Sequence, residues 1–394
     1  MASMTVGLIP SPDLPANVAE KVISRLAEDL EKRVDATVDW HVEREVNPIT
    51  GAAEYVSDII EKAARIKQEH AWDYVICLTD LPSFSDYKAV TTDASVQRGA
   101  ALVSLPSFGA FPLKHRIRKA FVFIVELLYT NGYTDQTEKK TSPIRERFLL
   151  ARVNRVIPQE SGSTDVRFIL QSSVFGWLRV LSGMTFANRP WLALKSFKKI
   201  LALAFATGTY ISIFSTPWQL SVSYTPLRFI LLMLLSIGGM VTWIIFAHNL
   251  WERPSSKGQN QYRMLYNTTT VMTLICIAVL NYVLLYAMFM FSISLFVPAG
   301  LFEEWTDSGT DQPLQNFMRL AWLATSLGTL AGAIGATVEK EDEIRHIAYS
   351  YRQLTRYYQM EQGTVESDNR GIAKDESSSY EGTEQRHREE EGAP

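Results

Sequence analysis

The chain has 394 residues, enough for two or three domains, and carries 42 acidic against 39 basic residues. A net charge of -3 argues against a general nucleic-acid binder, so no nucleic-acid partner is expected. Of the two cysteines, Cys77 falls in a part predicted to be soluble and Cys276 in an apolar run long enough for a membrane span, so they are expected in different compartments and a disulfide between them is not expected.

Residues 1 to 130 predict a soluble α/β head in which strands and helices alternate. Short apolar or alternating runs indicate strands, and apolar residues at helical spacing indicate helices. Apolar strands separated by helices are typical of a mostly parallel sheet with covering helices. The predicted strands cover 4–9, 36–46, 74–79 and 100–105, and the predicted helices cover about 14–34, 52–70 and 111–129.

Candidate ligand-binding residues follow from this fold, because ligands bind beyond the carboxyl ends of parallel strands. Asp80 directly follows the 74–79 strand, and the polar segment 83–98, with Asp86 and Arg98, is predicted as a loop at the same edge. Glu126 is the one acidic residue in the apolar part of the last helix. These four residues are the predicted site; the simpler alternative is that Asp80 caps a turn. The sequence offers no nucleophile motif and no metal-ligand cluster, so no catalytic residue, metal or cofactor is predicted.

The order of short motifs in the head resembles the front half of the archaemetzincin-type zincin peptidases. The motifs are Gly7–Pro10, Asn47-Pro48, Val75–Leu81 and Ala101–Leu105. In that family the next helix carries H-E-x-x-H, whose two histidines bind zinc. The corresponding helix here reads Val125-Glu126-Leu127-Leu128-Tyr129, which keeps the glutamate and lacks both histidines. The resemblance therefore implies a degenerate metallopeptidase-like head, without peptidase activity.

Residues 131 to 195 are predicted as a basic connector. Two runs, 148–157 and 166–170, predict a hairpin with a long turn. The helix predicted over 174–184 brings aromatic and aliphatic side chains to one side: Phe175, Trp177, Leu178 and Leu181. Such a helix either packs on the head or lies on the anionic cytoplasmic membrane surface. Trp177 and Trp191, close to the apolar runs that follow, favour the surface.

Residues 196 to 338 predict an α-helical membrane domain of four transmembrane helices, so the lipid bilayer is an expected partner. Lysines and arginines flank these helices on one side, and the loop before the fourth helix carries acidic residues. Because cytoplasmic loops are enriched in basic residues, both termini are expected in the cytoplasm of a cell membrane. The apolar runs are 200–215, 229–247, 271–297 and 320–338.

Small residues in the predicted spans indicate close packing between helices, or between two copies of the chain in a homo-oligomer. Asn281 lies mid-span, where a hydrogen bond to a neighbouring helix is favoured over a role in transport. The predicted packing residues are Gly238, Gly239, Asn281, Gly328, Gly332 and Gly335.

Residues 339 to 360 predict a cytoplasmic amphipathic helix, which folds back on the head or pairs with a partner helix. Residues 361 to 394 are polar and acidic, which predicts a disordered tail. A solvated tail is the simpler interpretation, and binding to a cytoplasmic protein partner is the alternative.

The whole layout, with the run Asn188-Arg189-Pro190-Trp191 before the first predicted span, resembles a family of uncharacterised multi-pass membrane proteins of Gram-positive bacteria. Some of those relatives carry a methylene-tetrahydrofolate dehydrogenase label. Here Pro10-Ser11-Pro12 follows the first strand, where a dinucleotide requires a glycine-rich turn. The favoured function is a membrane-anchored, non-enzymatic protein whose head binds a ligand or partner. The alternatives are a membrane-bound enzyme acting on a small molecule near Asp80 and a small-solute transporter.

Overall fold

The computed structural model describes residues 2–48, 56–130, 153–156, 164–252, 260–306 and 313–335. They fall into two units. The first, called the head, holds the described residues up to Leu105 and from Leu113 to Ser173. The second, called the helical unit, holds Pro106–Pro112 and the described residues from Val174 onward. The predicted C-terminal helix and tail, 339–394, lie outside the described residues.

One mixed sheet forms the centre of the head. Its order is β2-β1-β3-β6-β5-β8-β7, and β4 pairs with β5. The first four strands of this order run parallel, and the others are antiparallel to their neighbours. The predicted mostly parallel sheet is thus confirmed. The strands are β1 (Ala2–Pro10), β2 (Val38–Arg44), β3 (Tyr74–Thr79), β4 (Ser83–Ser85), β5 (Lys88–Ser95), β6 (Ala100–Ser104), β7 (Val153–Val156) and β8 (Val166–Leu170).

Three helices cover the sheet, as predicted. They are α1 (Leu14–Arg33), α2 (Val56–Glu69) and α3 (Leu113–Tyr129). The α2 helix packs over Ile9, Val75 and Cys77, which share one face of the sheet. The opposite face is buried as well, and there α1 and α3 lie against each other, joined by an ion pair of 3.1 Å from Arg118 Nε to Asp29 Oδ2. Parallel strands buried on both faces explain the near-continuous apolar runs in the sequence.

Two segments predicted outside the sheet belong to it. The segment 83–98, predicted as a polar loop, forms β4 and β5, so that prediction was wrong. Its β-branched residues Val90, Thr91 and Thr92 are buried in the sheet and favour a strand despite their polar company. The hairpin predicted within the connector is present as β7 and β8, and β8 pairs with β5. The segment predicted as a connector therefore adds two strands to the sheet of the head.

The helical unit contains helices throughout its described length. Three of them, α8, α9 and α11, are long and apolar enough to cross a membrane. The first predicted span, 200–215, is not one continuous helix: α6 ends at Ser212 and α7 follows at a bend of 90°. The number of candidate spans is therefore three, or four if this bent pair is one span. The helices are α4 (Ser173–Ala187), α5 (Pro190–Ala193), α6 (Lys198–Ser212), α7 (Ser215–Ser223), α8 (Pro226–Ala247), α9 (Asn260–Phe296), α10 (Ala299–Thr306) and α11 (Pro313–Ile334).

Aromatic contacts hold the bend between α6 and α7. Trp218 of α7 stacks on Phe302 of α10 at a centroid distance of 5.3 Å and donates its indole N–H to the carbonyl of Ser212 at 2.8 Å. That hydrogen bond satisfies a carbonyl at the end of α6. Arg319 of α11 donates to the carbonyl of Tyr224 at 2.9 Å, just beyond α7. The bend is therefore stabilised by specific contacts from two other helices.

Candidate functional site

The chain changes direction across the sheet between β1 and β3. From β1 the chain passes through α1 to β2 on one side, and from β2 it returns through α2 to β3 on the other side. Since the two crossover helices cover opposite faces, the topology places the switch point of the sheet at the carboxyl ends of β1 and β3, here called the crevice. In open α/β sheets this is the place where ligands bind.

A buried polar pair occupies this crevice. Ser11 follows β1 and Asp80 follows β3, and the two side chains are 0% and 1% exposed. The Ser11 hydroxyl donates to Asp80 Oδ1 at 3.3 Å, and the Ser11 backbone N–H donates to the carbonyl of Leu78 at 2.8 Å. The sequence predicted Asp80 at this edge. It did not single out Ser11, although a serine between Pro10 and Pro12, directly after an apolar strand, was the available signal.

The turn that follows Asp80 is held in place on two sides. The backbone N–H of Leu81 donates to the Thr79 hydroxyl at 3.1 Å. The Leu81 carbonyl accepts a hydrogen bond of 2.7 Å from the Ser104 hydroxyl at the end of β6. The hydroxyls of Thr79 and Ser104 thus fix the backbone beside Asp80, and the Ser11 hydroxyl contacts its carboxylate. Fixed side-chain positions of this kind are what a pre-organised binding site requires.

The start of α1 borders the same crevice and determines which ligands suit it. A helix N-terminus attracts anions through its free N–H groups. Here Pro15 lies within the first turn and has no N–H, and Asp13 stands exposed at the position before the helix. Asp13 and Asp80 repel anions from this edge. The crevice is therefore better suited to a ligand that donates hydrogen bonds than to a phosphate.

Asp86 lies at the tip of the turn between β4 and β5. Both turn residues adopt positive φ, 47° at Asp86 and 62° at Tyr87, a conformation that a two-residue hairpin turn requires. Because Thr92 pairs with Val103, the start of β5 extends beyond the carboxyl end of β6. The exposed tip therefore projects beyond the carboxyl ends of the parallel strands, the edge at which Asp80 lies.

Arg98 and Glu126 lie at the opposite edge. Arg98 sits in the turn between β5 and β6, where β6 begins, so it marks the amino ends of the parallel strands. Glu126 lies in the last turn of α3, next to Tyr129, whose hydroxyl donates to Asp35 at 2.7 Å just before β2. The four predicted ligand-binding residues therefore divide into two pairs at two edges. The predicted loop that joined Asp86 to Arg98 is instead a strand that crosses the sheet.

A second buried carboxylate, Asp93, lies within β5. Arg167 of β8 donates from Nε to Asp93 Oδ1 at 2.6 Å, across two paired strands. Burial raises the pKa of Asp93, and the neighbouring Arg167 guanidinium opposes that rise. Sequence analysis missed this pair because it assigned Asp93 to a loop and Arg167 to another domain.

Cys77 lies in β3, three residues before Asp80, and its side chain is buried. Burial raises the pKa of the Cys77 thiol to about 12. The thiolate is the reactive form, so this thiol is inert at neutral pH while the head is folded. Among the described residues, no three His, Cys, Asp or Glu side chains lie close enough together to hold a metal ion.

The predicted packing residues of the helical unit have different surroundings. A Cβ atom on Gly328 or Gly332 would lie 2.6 and 2.7 Å from atoms of Ala204 in α6, so these two glycines face another helix backbone closely. On Gly335 and Gly239 the nearest atom would be a leucine methyl group at 3.0 and 3.1 Å. Gly238 has open space around it.

Asn281 is 3% exposed in the middle of α9. Its side-chain Nδ2 makes no hydrogen bond within the described part of the chain. One residue further, the Tyr282 hydroxyl lies 2.7 Å from the Ser326 hydroxyl of α11. Polar groups of two helices thus meet at mid-helix depth. The sequence pointed to Asn281 but not to this neighbouring pair.

Comparison of the chain with protein-family models, with curated proteins and with solved structures found no match. The functional argument therefore depends on the residues of the two candidate regions, the crevice around Asp80 and the polar groups around Asn281.

Proposed function

We propose that this chain is a multi-pass protein of the cell membrane whose head binds a ligand or a protein partner and catalyses no reaction. The observation that carries this proposal is the buried Ser11–Asp80 pair in the crevice between β1 and β3. Burying a carboxylate costs free energy, and side-chain packing at the end of a strand can be achieved without a carboxylate. Buried ionisable groups with a specific polar partner are candidates for functional sites.

The chemistry of the crevice narrows the ligand class. The polar atoms at this edge are the oxygens of the Asp80 carboxylate and of the Thr79 and Ser11 hydroxyls, and Asp13 adds negative charge before α1. We therefore infer a neutral or cationic ligand with amine, amide or hydroxyl donors. The N-terminal part of a peptide and an amino-substituted heterocycle both meet this requirement.

The helical unit supplies the membrane anchor in this proposal. Three helices, or four with the bent pair, have the length and composition for a span, and the lipid bilayer is their partner. The basic residues near α6, α8 and α9 and the acidic residues of α10 support an orientation with both termini in the cytoplasm. The open surface at Gly238 supports a homo-oligomer formed through α8. The proposed family is the Gram-positive membrane-protein family, with a degenerate metallopeptidase-like head.

The test is a thermal-shift screen of the full chain in detergent against nucleotides, folates and peptides. Each hit is repeated with Asp80→Asn, which keeps the size of the side chain and removes its charge. The matched control is Asp39→Asn, an exposed carboxylate at the amino end of β2. We expect a stabilising ligand whose effect is lost with Asp80→Asn and kept with Asp39→Asn. A shift that survives Asp80→Asn and disappears with Arg98→Gln would place recognition at the opposite edge and refute the proposal.

Two alternative functions would use residues of the two candidate regions. A membrane-bound enzyme acting on a small molecule would use Asp80 as a proton acceptor, and turnover of a hit from the screen would establish it.

The observation that supports a small-solute transporter is the buried Asn281 amide, since polar groups within spans mark transport paths. Solute flux into liposomes that disappears with Asn281→Leu would establish transport, and flux unchanged in that variant would exclude a role for Asn281.

A further inference from the structure

An exposed apolar stripe runs along the first half of α4. Val174, Phe175 and Leu178 are 69%, 76% and 49% exposed, and they repeat at the spacing of one helix face. The sequence had also assigned Leu181 to this face, but Leu181 is buried. Trp191 and Leu192 of α5 are exposed too. Exposed apolar residues grouped in this way mark an interaction surface.

The other face of α4 is firmly packed. A Cβ atom on Gly183 would lie 2.3 Å from the carbonyl oxygen of Pro106, so the helix backbone rests directly on the segment Pro106–Pro112. From that segment Phe111 contacts Phe186, and Phe186 contacts Trp191, at centroid distances of 5.2 and 5.1 Å. The orientation of α4 within the helical unit is therefore fixed, and its apolar stripe points outward.

Contacts with α9 set the level of α4 along the long helix. Asn188, just after α4, donates to the Thr273 hydroxyl at 2.7 Å, and the Thr269 hydroxyl contacts Met184 Sδ at 3.7 Å. The part of α9 before Thr269 contains Arg263 and Asn267, and the part after Thr273 is almost wholly apolar. The end of α4 thus lies at the boundary between polar and apolar sequence in α9, which is the level of lipid headgroups if α9 spans a bilayer.

The sequence of this part of the chain carries charge of one sign. From 172 to 251 it has no acidic residue, and residues 179 to 199 include five basic ones: Arg179, Arg189, Lys195, Lys198 and Lys199. Exposed apolar side chains beside basic ones, without acidic neighbours, are typical of helices that lie in the interface of an anionic bilayer. Basic residues near such a surface are attracted to its headgroups.

We propose that the outward face of α4 and α5 binds the surface of an anionic bilayer. Val174, Phe175 and Leu178 enter the boundary between headgroups and acyl chains. Arg189 and Lys198 bind lipid phosphates beside them. This inference goes beyond ligand binding by the head and depends only on the membrane-anchoring part of the proposed function.

Spin labels on the full chain test the apolar stripe. The background variant is Cys276→Ala, because the buried Cys77 thiol does not react in the folded head. A cysteine is placed by Leu178→Cys in the stripe, by Leu235→Cys in the middle of α8, or by Tyr87→Cys on the exposed hairpin tip of the head. Collision rates with oxygen and with a water-soluble nickel chelate are measured in phosphatidylcholine vesicles with and without phosphatidylglycerol.

We expect the label at 178 to lie at a depth between the other two, deeper when phosphatidylglycerol is present. A label at 178 as water-exposed as the one at 87, while the label at 235 lies in the bilayer, would overturn this inference and leave the anchor intact. A label shielded from both reagents would also overturn it, since protein would then cover the stripe. Water exposure at 235 as well would instead refute membrane anchoring itself.

The charged part of the inference has its own test. The full chain is extracted from mixed vesicles, and the ratio of co-purified phosphatidylglycerol to phosphatidylcholine is measured. We expect enrichment of phosphatidylglycerol in the wild-type chain. Each of the variants Arg189→Gln and Lys198→Gln should lower the relative affinity for phosphatidylglycerol by about fivefold. The control is Arg65→Gln, an exposed arginine on α2 of the head that pairs with Glu61. Equal enrichment in the double variant Arg189→Gln/Lys198→Gln would overturn the assignment of these two residues.

Discussion

Buried polar groups have different hydrogen-bond partners in the two units. In the head, the two buried carboxylates, Asp80 and Asp93, bond to side chains of neighbouring strands. Among the described residues of the helical unit, the buried polar groups are hydroxyls, amides and one histidine, and several hydroxyls donate to the carbonyl four residues earlier in their own helix: Ser212, Thr269, Thr273 and Thr325. Of these four, Thr269 and Thr273 also contact Met184 and Asn188. Buried charge and cross-strand polar contacts are thus concentrated in the head, which favours recognition there over function within the helices.

The largest expected effect comes from breaking the second carboxylate pair in the head. Arg167→Met leaves Asp93 buried without its cation, and we expect the free energy of unfolding to fall by about 3–5 kcal/mol at neutral pH. The measurement is denaturant unfolding of the full chain with the Cys276→Ala background, followed by alkylation of Cys77. Arg65→Gln, which breaks an exposed pair, is the control and is expected to cost less than about 0.5 kcal/mol.

The same variant has a pH dependence of known sign. Burial raises the pKa of Asp93 above its ordinary value, and removing Arg167 removes the opposing influence. A group whose pKa is raised in the folded state stabilises that state most when it is protonated. The defect of Arg167→Met should therefore shrink as pH falls through the raised pKa, and Asp93→Asn should remove most of the pH dependence. A defect that grows in acid would show that Asp93 is not the origin.

In the helical unit, a substitution that disturbs the close packing of α11 on α6 should lower stability by a smaller amount. Gly332→Ala places a Cβ atom 2.7 Å from the Ala204 Cβ and 2.9 Å from the Ile200 carbonyl, so α6 must shift. We expect a loss of about 1–3 kcal/mol in the stability of the helical unit, measured by thermal unfolding in detergent. Gly300→Ala is the matched control, because open space surrounds Gly300 in α10 and alanine favours a helix by up to about 1 kcal/mol. Similar losses in both variants would contradict the packing account.

Ser11→Ala removes the donor to Asp80 and should cost about 1 kcal/mol in the stability of the head. The control Ser3→Ala changes an exposed serine of β1, the strand that precedes Ser11, and should have almost no effect. Unfolding of the head is again followed through Cys77 alkylation. If the two variants behave alike, the hydrogen bond between Ser11 and Asp80 does not hold the crevice in place.

The smallest effect is expected for Asn281→Leu. Replacing a buried amide whose Nδ2 has no hydrogen bond within the described residues by an apolar side chain of similar size should change stability by less than about 1 kcal/mol, in either direction. Thermal unfolding in detergent measures this. A loss of several kcal/mol would reveal a strong polar partner for Asn281 and would weaken the contrast between the two units.

The sequence carried enough information for the alternation of strands and helices in the head and for its mostly parallel sheet, because apolar periodicity is a local signal. It also placed Asp80 at a strand end. It did not predict β5, since the run from Lys88 to Ser95 is half polar and its burial depends on pairing with β6 and β8. For the same reason Arg98 was grouped with Asp80, although strand direction places it at the other edge. Glu126 was added as the one acidic residue in the apolar part of the last helix, and the direction of α3 places it at the edge of Arg98.

In the helical unit, composition indicated apolar helices but not the bend after Ser212. That bend depends on contacts of Trp218 with α10, more than 80 residues away in the chain, and local pattern does not encode them. Similarly, tertiary packing determines that Gly328 and Gly332 contact α6 rather than a second copy of the chain. Glycine spacing predicts that two backbones approach closely, without naming the partner.

Hydrogen exchange of the full chain, with and without a ligand from the screen, tests the central claim most directly. Backbone amides around Ser11 and from Leu78 to Ser85 should gain protection, because they border the crevice between β1 and β3. Asp80→Asn should abolish that protection. Protection confined to the turn at Arg98 and the end of α3, or to the helices around Asn281, would contradict the assignment of recognition to the carboxyl edge of the head.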